Sequence, residues 1–409
     1  MIGGGIFTVI GLVAGIAGKF VFLSLTLCTF SALLTGYSYS ALAEKYPSSG
    51  ASYAYVKAGF GDFAGGFVAW LIWFGYISSC SLYAVSFGYY MSYFVNSPWK
   101  TWSILLIVFL TVLNLKGVKK TGSVENILVA AKVAILLLFV GAGLFFAMQN
   151  GLIQRLEAYI PNVNENFQVL NIILGSGLIF IAYEGFELIA TSAEELENPR
   201  KNIRRAIYIS IIIVSTIYLF VTLVSLTVIN PAELMISEAP LAEVAERFMG
   251  SIGGIILGFG GLFATASAFN ASLYGSSRMM FALARDDLAP KKLVKLSKKT
   301  KVPYISIIFT SSIITILTLA GVLQDVATLS SLFFLIIFFM VNLSAFKLSI
   351  KRVLRSHALF SIAASIIIFA VTVLLISYLY TPLIATTFVI AVISSFLITT
   401  YMNRVKRRR

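Results

Sequence analysis

The stretch Ile179-Phe-Ile-Ala-Tyr-Glu-Gly-Phe-Glu-Leu-Ile-Ala190 decides the reading of this chain. It lies in an apolar segment long enough to cross a bilayer, yet carries the carboxylates Glu184 and Glu187 around Gly185. Acidic side chains at membrane depth cost a few kcal/mol each and persist where they face a cavity or a partner. Gly185 is expected to let the backbone leave the helix, which the bilayer tolerates only where the freed carbonyls line a cavity. A second interruption, Gly3-Gly4-Gly5, stands at the head of the chain. Two broken apolar helices in one chain point to the binding site of a transporter.

Across the whole chain, apolar residues make up 59% of 409 and charged residues 12%, with a mean hydropathy of +0.93. Soluble domains carry less apolar and more charged sequence than this. Eleven apolar runs reach spanning length: 20–43, 63–94, 101–118, 122–148, 168–191, 206–229, 249–284, 303–322, 326–346, 357–378 and 381–402. A twelfth, 2–16, is short. The class is therefore an all-α polytopic membrane protein.

The net charge of +14 orients the chain. With the short run counted first, the segments after even-numbered runs, including the C-terminal tail, hold 25 of the 31 Lys and Arg residues. The opposite loops hold Lys19, Lys100, Arg155 and Arg247, and Lys132 and Arg278 fall inside runs. That asymmetry places the basic loops and the C-terminus in the cytoplasm of a cell-membrane protein. Anionic lipid is a secondary partner of the basic face, and no nucleic acid is expected as a partner. Cys28 and Cys80 lie in apolar runs and read as small apolar residues.

An even number of crossings with a cytoplasmic C-terminus puts the N-terminus inside, so half of the first run is expected to be missing before Met1. A re-entrant first segment is the alternative. The longest polar connections, 149–167 and 285–302, are too short for a soluble domain. One membrane domain results: 1–149 as a first five-helix unit, 168–355 as a second, inverted one, and 356–409 as runs 11 and 12 with a basic tail. Each unit opens on a glycine-broken helix.

The order and spacing of several motifs resemble the amino acid–polyamine–organocation superfamily, in particular its prokaryotic amino acid permeases. They are Ile2-Gly-Gly-Gly-Ile-Phe7, Tyr46-Pro-Ser-Ser-Gly-Ala-Ser-Tyr-Ala-Tyr55, Phe180-Ile-Ala-Tyr-Glu-Gly-Phe186 and Ala193-Glu-Glu-Leu-Glu-Asn-Pro-Arg200. Ser267-Ala-Phe-Asn-Ala271, Ser277-Arg278 and Ala282-Leu-Ala-Arg-Asp286 complete the set. The resemblance covers essentially the whole chain. It implies a leucine-transporter-like five-plus-five inverted repeat with two further helices, and amino acid transport by alternating access. Proton symport is the expected mode, with substrate exchange and a transport-inactive sensor as alternatives.

Site expectations follow. A substrate carboxylate would dock on amides near Ile2, Gly3, Gly4 and Gly5, at the positive end of the helix that starts there. Close packing by small residues explains the same glycines. Carbonyls around Ile181, Ala182 and Glu184 would receive the substrate ammonium, walled by Phe180, Tyr183 and Phe186, with Phe186 a gate by resemblance. Glu184 selects cationic or small polar side chains, or titrates with proton movement, or points hydrated into a vestibule.

Lys132 lies seven residues past Glu125, about 10 Å along the helix. A buried lysine exchanges its proton readily as its surroundings change. Where sodium-coupled relatives of the fold hold a metal ion between spans 1 and 8, certain proton-coupled permeases place a span-5 lysine, and Lys132 matches it. Thr265 and Ser267 are its expected hydroxyl partners; snorkelling to headgroups is the plain alternative. Glu194, Glu195 and Arg278 are expected as gate ion pairs, or else as a solvated helix end. Neither cofactor nor metal is expected. The chain has a single histidine, His357, and no phosphate-binding loop of the GxxxxGK[ST] type, which argues against a metal-dependent membrane hydrolase and an ATP-driven pump. The two breaks are dissimilar, which argues against a symmetric channel filter.

Overall fold

Apolar side chains leave a backbone in lipid no hydrogen-bond partner but itself, so each run closes on itself as a helix. The computed structural model describes residues 1–48, 50–117, 122–151, 157, 168–191, 199–354, 356–377 and 381–408. Twelve helical spans occur among them. Span 1 runs as a π-helical turn, Gly5–Val9, into Ile10–Ala17. Gly18, at φ +53°, reverses the chain into span 2, Val21–Lys45. This left-handed conformation carries no steric cost for glycine.

A short loop helix, Ser52–Phe60, leads to span 3, Asp62–Phe94, then span 4, Trp99–Leu115, and span 5, Gly122–Gln149. Span 6 comes in three pieces: Val169–Ile179, a 3-10 turn Phe180–Tyr183, and Gly185–Thr191. Span 7 is Pro199–Val228 and span 8 is Pro240–Arg285, with the short helix Pro231–Ile236 between them. Spans 9 to 12 are Tyr304–Ala320, Leu323–Ile350, Ala358–Ser377 and Pro382–Arg408. Pro199, Pro231, Pro240 and Pro382 each open a helix, where the missing N–H is no loss.

Span 3 is almost wholly enclosed, and span 10 nearly so, while spans 5 and 12 turn much of their apolar surface outward. Leu137, Phe145, Ile366, Ile390 and Phe396 are exposed, an arrangement that suits lipid rather than water. Glycine sets the approach of span 8 to the core. A Cβ on Gly261 would stand 2.6 Å from the Tyr90 ring of span 3, and one on Gly260 would stand 2.9 Å from Ile135 of span 5. Small residues let helix backbones approach closely in this way in membranes. Cys28 and Cys80 are both buried free thiols.

Candidate functional site

The two broken helices meet. A Cβ built on Gly5 would fall 2.6 Å from Ala182 Cβ and 2.8 Å from Ala182 Cα, so only glycine lets the span 1 turn touch the span 6 turn. Gly4 packs the same way on span 3, where a Cβ would stand 2.8 Å from the Tyr83 ring. Gly3 faces span 8, at 3.0 Å from Ala268 Cβ. Ile2 borders them, half-buried. The expected packing role of these glycines is thus present in the structure. The π-helical turn that follows presents its Phe7 carbonyl to span 3, where Tyr90 Oη donates to it at 2.6 Å.

Span 6 breaks differently from the expectation. The helix tightens to 3-10 at Phe180–Tyr183, and Gly185 begins the next α-helical piece rather than causing the departure. What Gly185 supplies is space, since a Cβ there would stand 2.8 Å from Met1 Cα. The carbonyls near the break are partly used. Ile181 O accepts Glu184 N–H at 3.4 Å, Glu184 O accepts Glu187 N–H at 3.0 Å, and Tyr218 Oη of span 7 lies 3.3 Å from Ala182 O. Each carbonyl has a second lone pair, so accepting capacity remains.

Glu184 is buried, at 7% exposure, and is not the hydrated vestibule group that was one of its three readings. Tyr83 Oη donates to its Oε1 at 2.9 Å and Ser79 Oγ to its Oε2 at 3.0 Å, both from span 3. Ser330 of span 10 lies 2.6 Å from Ser79 Oγ and completes a hydroxyl chain into the carboxylate.

The three aromatics split. Phe186 stacks on Phe338 of span 10, with centroids 4.9 Å apart, and meets Tyr39 edge-on at 5.3 Å. Phe180 lies against Phe338 as well, at 5.6 Å. Tyr183 turns elsewhere. Its hydroxyl is 3.0 Å from Thr29 Oγ1 of span 2, and its ring meets Tyr218 of span 7 edge-on. A wall of all three around one pocket is not what forms, because alternate positions along a turn face different neighbours.

Lys132 is 6% exposed and reaches inward rather than toward the headgroups. Its Nζ donates to Ser267 Oγ at 2.8 Å and to Ile2 O at 3.2 Å, so span 5 holds spans 8 and 1 through one ammonium. Ser267 is the hydroxyl it meets. Thr265, buried two residues earlier, donates to Gly261 O of its own helix at 2.7 Å. Glu194 and Glu195, expected as gate carboxylates, lie outside the described residues. Arg278 is exposed and sits over the Tyr274 ring, 4.2 Å from its centroid.

Sequence reasoning passed over the partners from spans 3 and 10. Their signal is a hydroxyl-rich stretch, Ser78-Ser79-Cys80-Ser81, in the middle of an apolar run, echoed by Ser330-Ser331. A cavity of about 370 Å³ elsewhere is lined by Tyr89, Tyr93, Glu233, Glu238 and Glu243, and none of the residues at the two breaks borders it.

The comparisons agree with this architecture. A family model described as amino acid permease matches residues 1–402. An uncharacterized protein of Methanocaldococcus jannaschii is 33% identical over 357 residues, 85% of this chain and 79% of that protein. The branched-chain amino acid permease BcaP of Bacillus subtilis is 24% identical, over 86% of this chain and 78% of its own. The methylthioribose transporter of the same organism is 25% identical, over 74% and 68%. With a membrane-spanning helical fold, two touching breaks and a family match over nearly its full length, this chain belongs to the amino acid permease family.

Proposed function

We propose that this protein moves amino acids across the cell membrane by proton-coupled symport, with its basic loops and C-terminus on the cytoplasmic side. The observation that carries the coupling is the Lys132 ammonium held jointly by Ser267 and the Ile2 carbonyl. Spans 1 and 8 must shift against each other for access to alternate, and the charge that ties them belongs to span 5. A protonated lysine fastens both. A neutral amine is a weaker donor, so proton loss loosens the two spans together. Binding energy is thereby linked to the protonation state, the requirement for coupling.

The substrate would sit where the two breaks meet. Its carboxylate would face the N–H groups at Gly3, Gly4 and Gly5, where the helix presents its positive end. Its ammonium would face the span 6 carbonyls at Ile181, Ala182 and Glu184. The Glu184 carboxylate, held by Tyr83 and Ser79, supports a preference for cationic or small polar side chains. Family membership and a relative named as an amino acid permease support the substrate class. Two broken helices, each opening five spans, support spans 1–5 and 6–10 as inverted units.

The deciding experiment is uptake of a mixed radiolabelled amino acid pool into proteoliposomes, under an inward proton gradient and then under a sodium gradient at matched pH. Accumulation driven by protons without sodium is the expected result. Rapid exchange against internal amino acid with no gradient effect would make the protein an antiporter and leave Lys132 a structural cation.

A further inference from the structure

Glu187 lies one helical turn beyond Glu184, on the side of the break that runs toward the basic face, and it is 1% exposed. Its Oε1 accepts from Ser52 Oγ at 2.7 Å. Ser52 opens the loop helix after span 2, and its oxygen lies 2.6 Å from Tyr39 Oη of span 2. Because Ser52 gives its proton to Glu187, Tyr39 gives its own to Ser52. A directed chain of Tyr39, Ser52 and Glu187 therefore clasps span 2, the loop helix and the second piece of span 6. Phe186, the preceding side chain, packs against both Tyr39 and Phe338.

The clasp is incomplete. Glu187 Oε2 is buried with no hydrogen-bond partner among the described residues, and so is the hydroxyl of Tyr55. Among the described residues, the ionisable groups facing the carboxyl are Tyr39 from span 2, Tyr55 from the loop helix, Tyr76 from span 3 and Glu184 from span 6 itself. None of these is a cation at neutral pH. A buried carboxylate with one donor and no counter-charge is costly, whereas the same group in water is not.

We infer that Glu187 is the gate residue of the cytoplasmic side: its hydrogen bond to Ser52 closes that side, and ionisation of its carboxyl favours opening. The inference rests on the transport reading. For the path to open inward, the second piece of span 6 separates from the loop helix. That separation breaks the Ser52–Glu187 bond and admits water to both orphaned groups. The proton leaves Glu187 for cytoplasmic water as the gate opens and returns from there as it closes. The gate is thus biased by internal pH, separately from Lys132, and alkaline cytoplasm favours the open form.

The test uses the full chain in proteoliposomes preloaded with a radiolabelled amino acid pool. Efflux by exchange against a saturating external amino acid pool, a mode with no net proton flux to oppose it, is followed with external pH held constant while internal pH is stepped across roughly two units around neutrality. Wild-type efflux should rise with internal pH, by at most about tenfold per unit, the limit for one proton. Glu187→Gln should flatten that profile and Glu187→Asp should keep its slope. Ser52→Ala should raise efflux at low internal pH by unfastening the closed form. A Glu187→Gln protein that transports with the wild-type internal-pH profile overturns the gate, as does a flat wild-type profile. Should Glu187→Gln fail to fold, Ser52→Ala decides, and unchanged efflux at low internal pH overturns the gate. A wild-type protein with no flux in any mode sinks the transport reading and the gate with it, whereas flux with an unaltered mutant profile sinks the gate alone.

Discussion

Lys132 Nζ of span 5 donates to Ser267 Oγ of span 8 at 2.8 Å while also reaching Ile2 O of span 1. One ammonium therefore joins three helices, two of which carry the residues nearest the break. Removing it takes the Lys132 donor from a half-buried carbonyl and a half-buried hydroxyl, a loss of about 1–3 kcal/mol. Lys132→Ala is expected to abolish proton-driven accumulation while counterflow exchange persists. Uptake with and without a pH gradient checks it, and gradient-driven accumulation in the variant would refute the coupling role.

Gly5→Ala places a methyl 2.6 Å from Ala182 Cβ and 2.8 Å from its Cα. Overpacking of this kind costs about 1–3 kcal/mol, and here the atom met is backbone, which cannot swing aside. Uptake should be lost or reduced severely with normal membrane insertion. Adding Ala182→Gly relieves the Cβ contact alone and should restore uptake in part; no rescue would mean that the two breaks do not constrain each other.

Glu184→Gln replaces one carboxylate oxygen by an amide donor that must face either Tyr83 Oη or Ser79 Oγ, both of which now donate. The hydroxyl chain from Ser330 must then reverse or break. Competition of unlabelled amino acids against labelled uptake should show a weakened preference for cationic or small polar substrates. An unchanged competition profile removes Glu184 from selectivity.

Tyr90→Phe deletes the hydroxyl that donates to Phe7 O in the π-helical turn and leaves the ring packing against Gly261 in place. The cost is about 1–2 kcal/mol. A lower melting temperature in detergent is expected, of a few degrees for a chain of this size.

Outside the spans, partial desolvation and the nearby Glu243 raise the Glu238 carboxyl above its usual range. A carboxyl raised by folding destabilises the folded protein when ionised, so its unfavourable effect grows as pH climbs through and beyond the ordinary carboxylate value. Glu238→Gln should therefore raise the melting temperature at neutral pH, and the gain should shrink toward pH values near 4. A gain independent of pH would point to packing instead.

The fold class was legible from runs of apolar sequence because, in lipid, the backbone has no partner but its own helix. The two breaks were legible as glycine and carboxylate inside such runs, and Lys132 stood out as a cation where a cation is costly. These are local properties, written in composition and spacing. Which helix faces which is not written there; it is set by packing in three dimensions. The Tyr83 and Ser79 hydroxyls on Glu184, and the turning of Tyr183 toward Thr29, depend on the rotation of each helix about its axis. The meeting of Gly5 with Ala182 and the clasp of Ser52 on Glu187 join residues far apart in the chain. A hydroxyl in an apolar run looks alike whether it bonds within its own helix, as Thr265 does, or also meets a side chain of another span, as Ser267 does with Lys132. Packing across helices chooses between them, and that choice is made by close contacts between surfaces that no single segment contains.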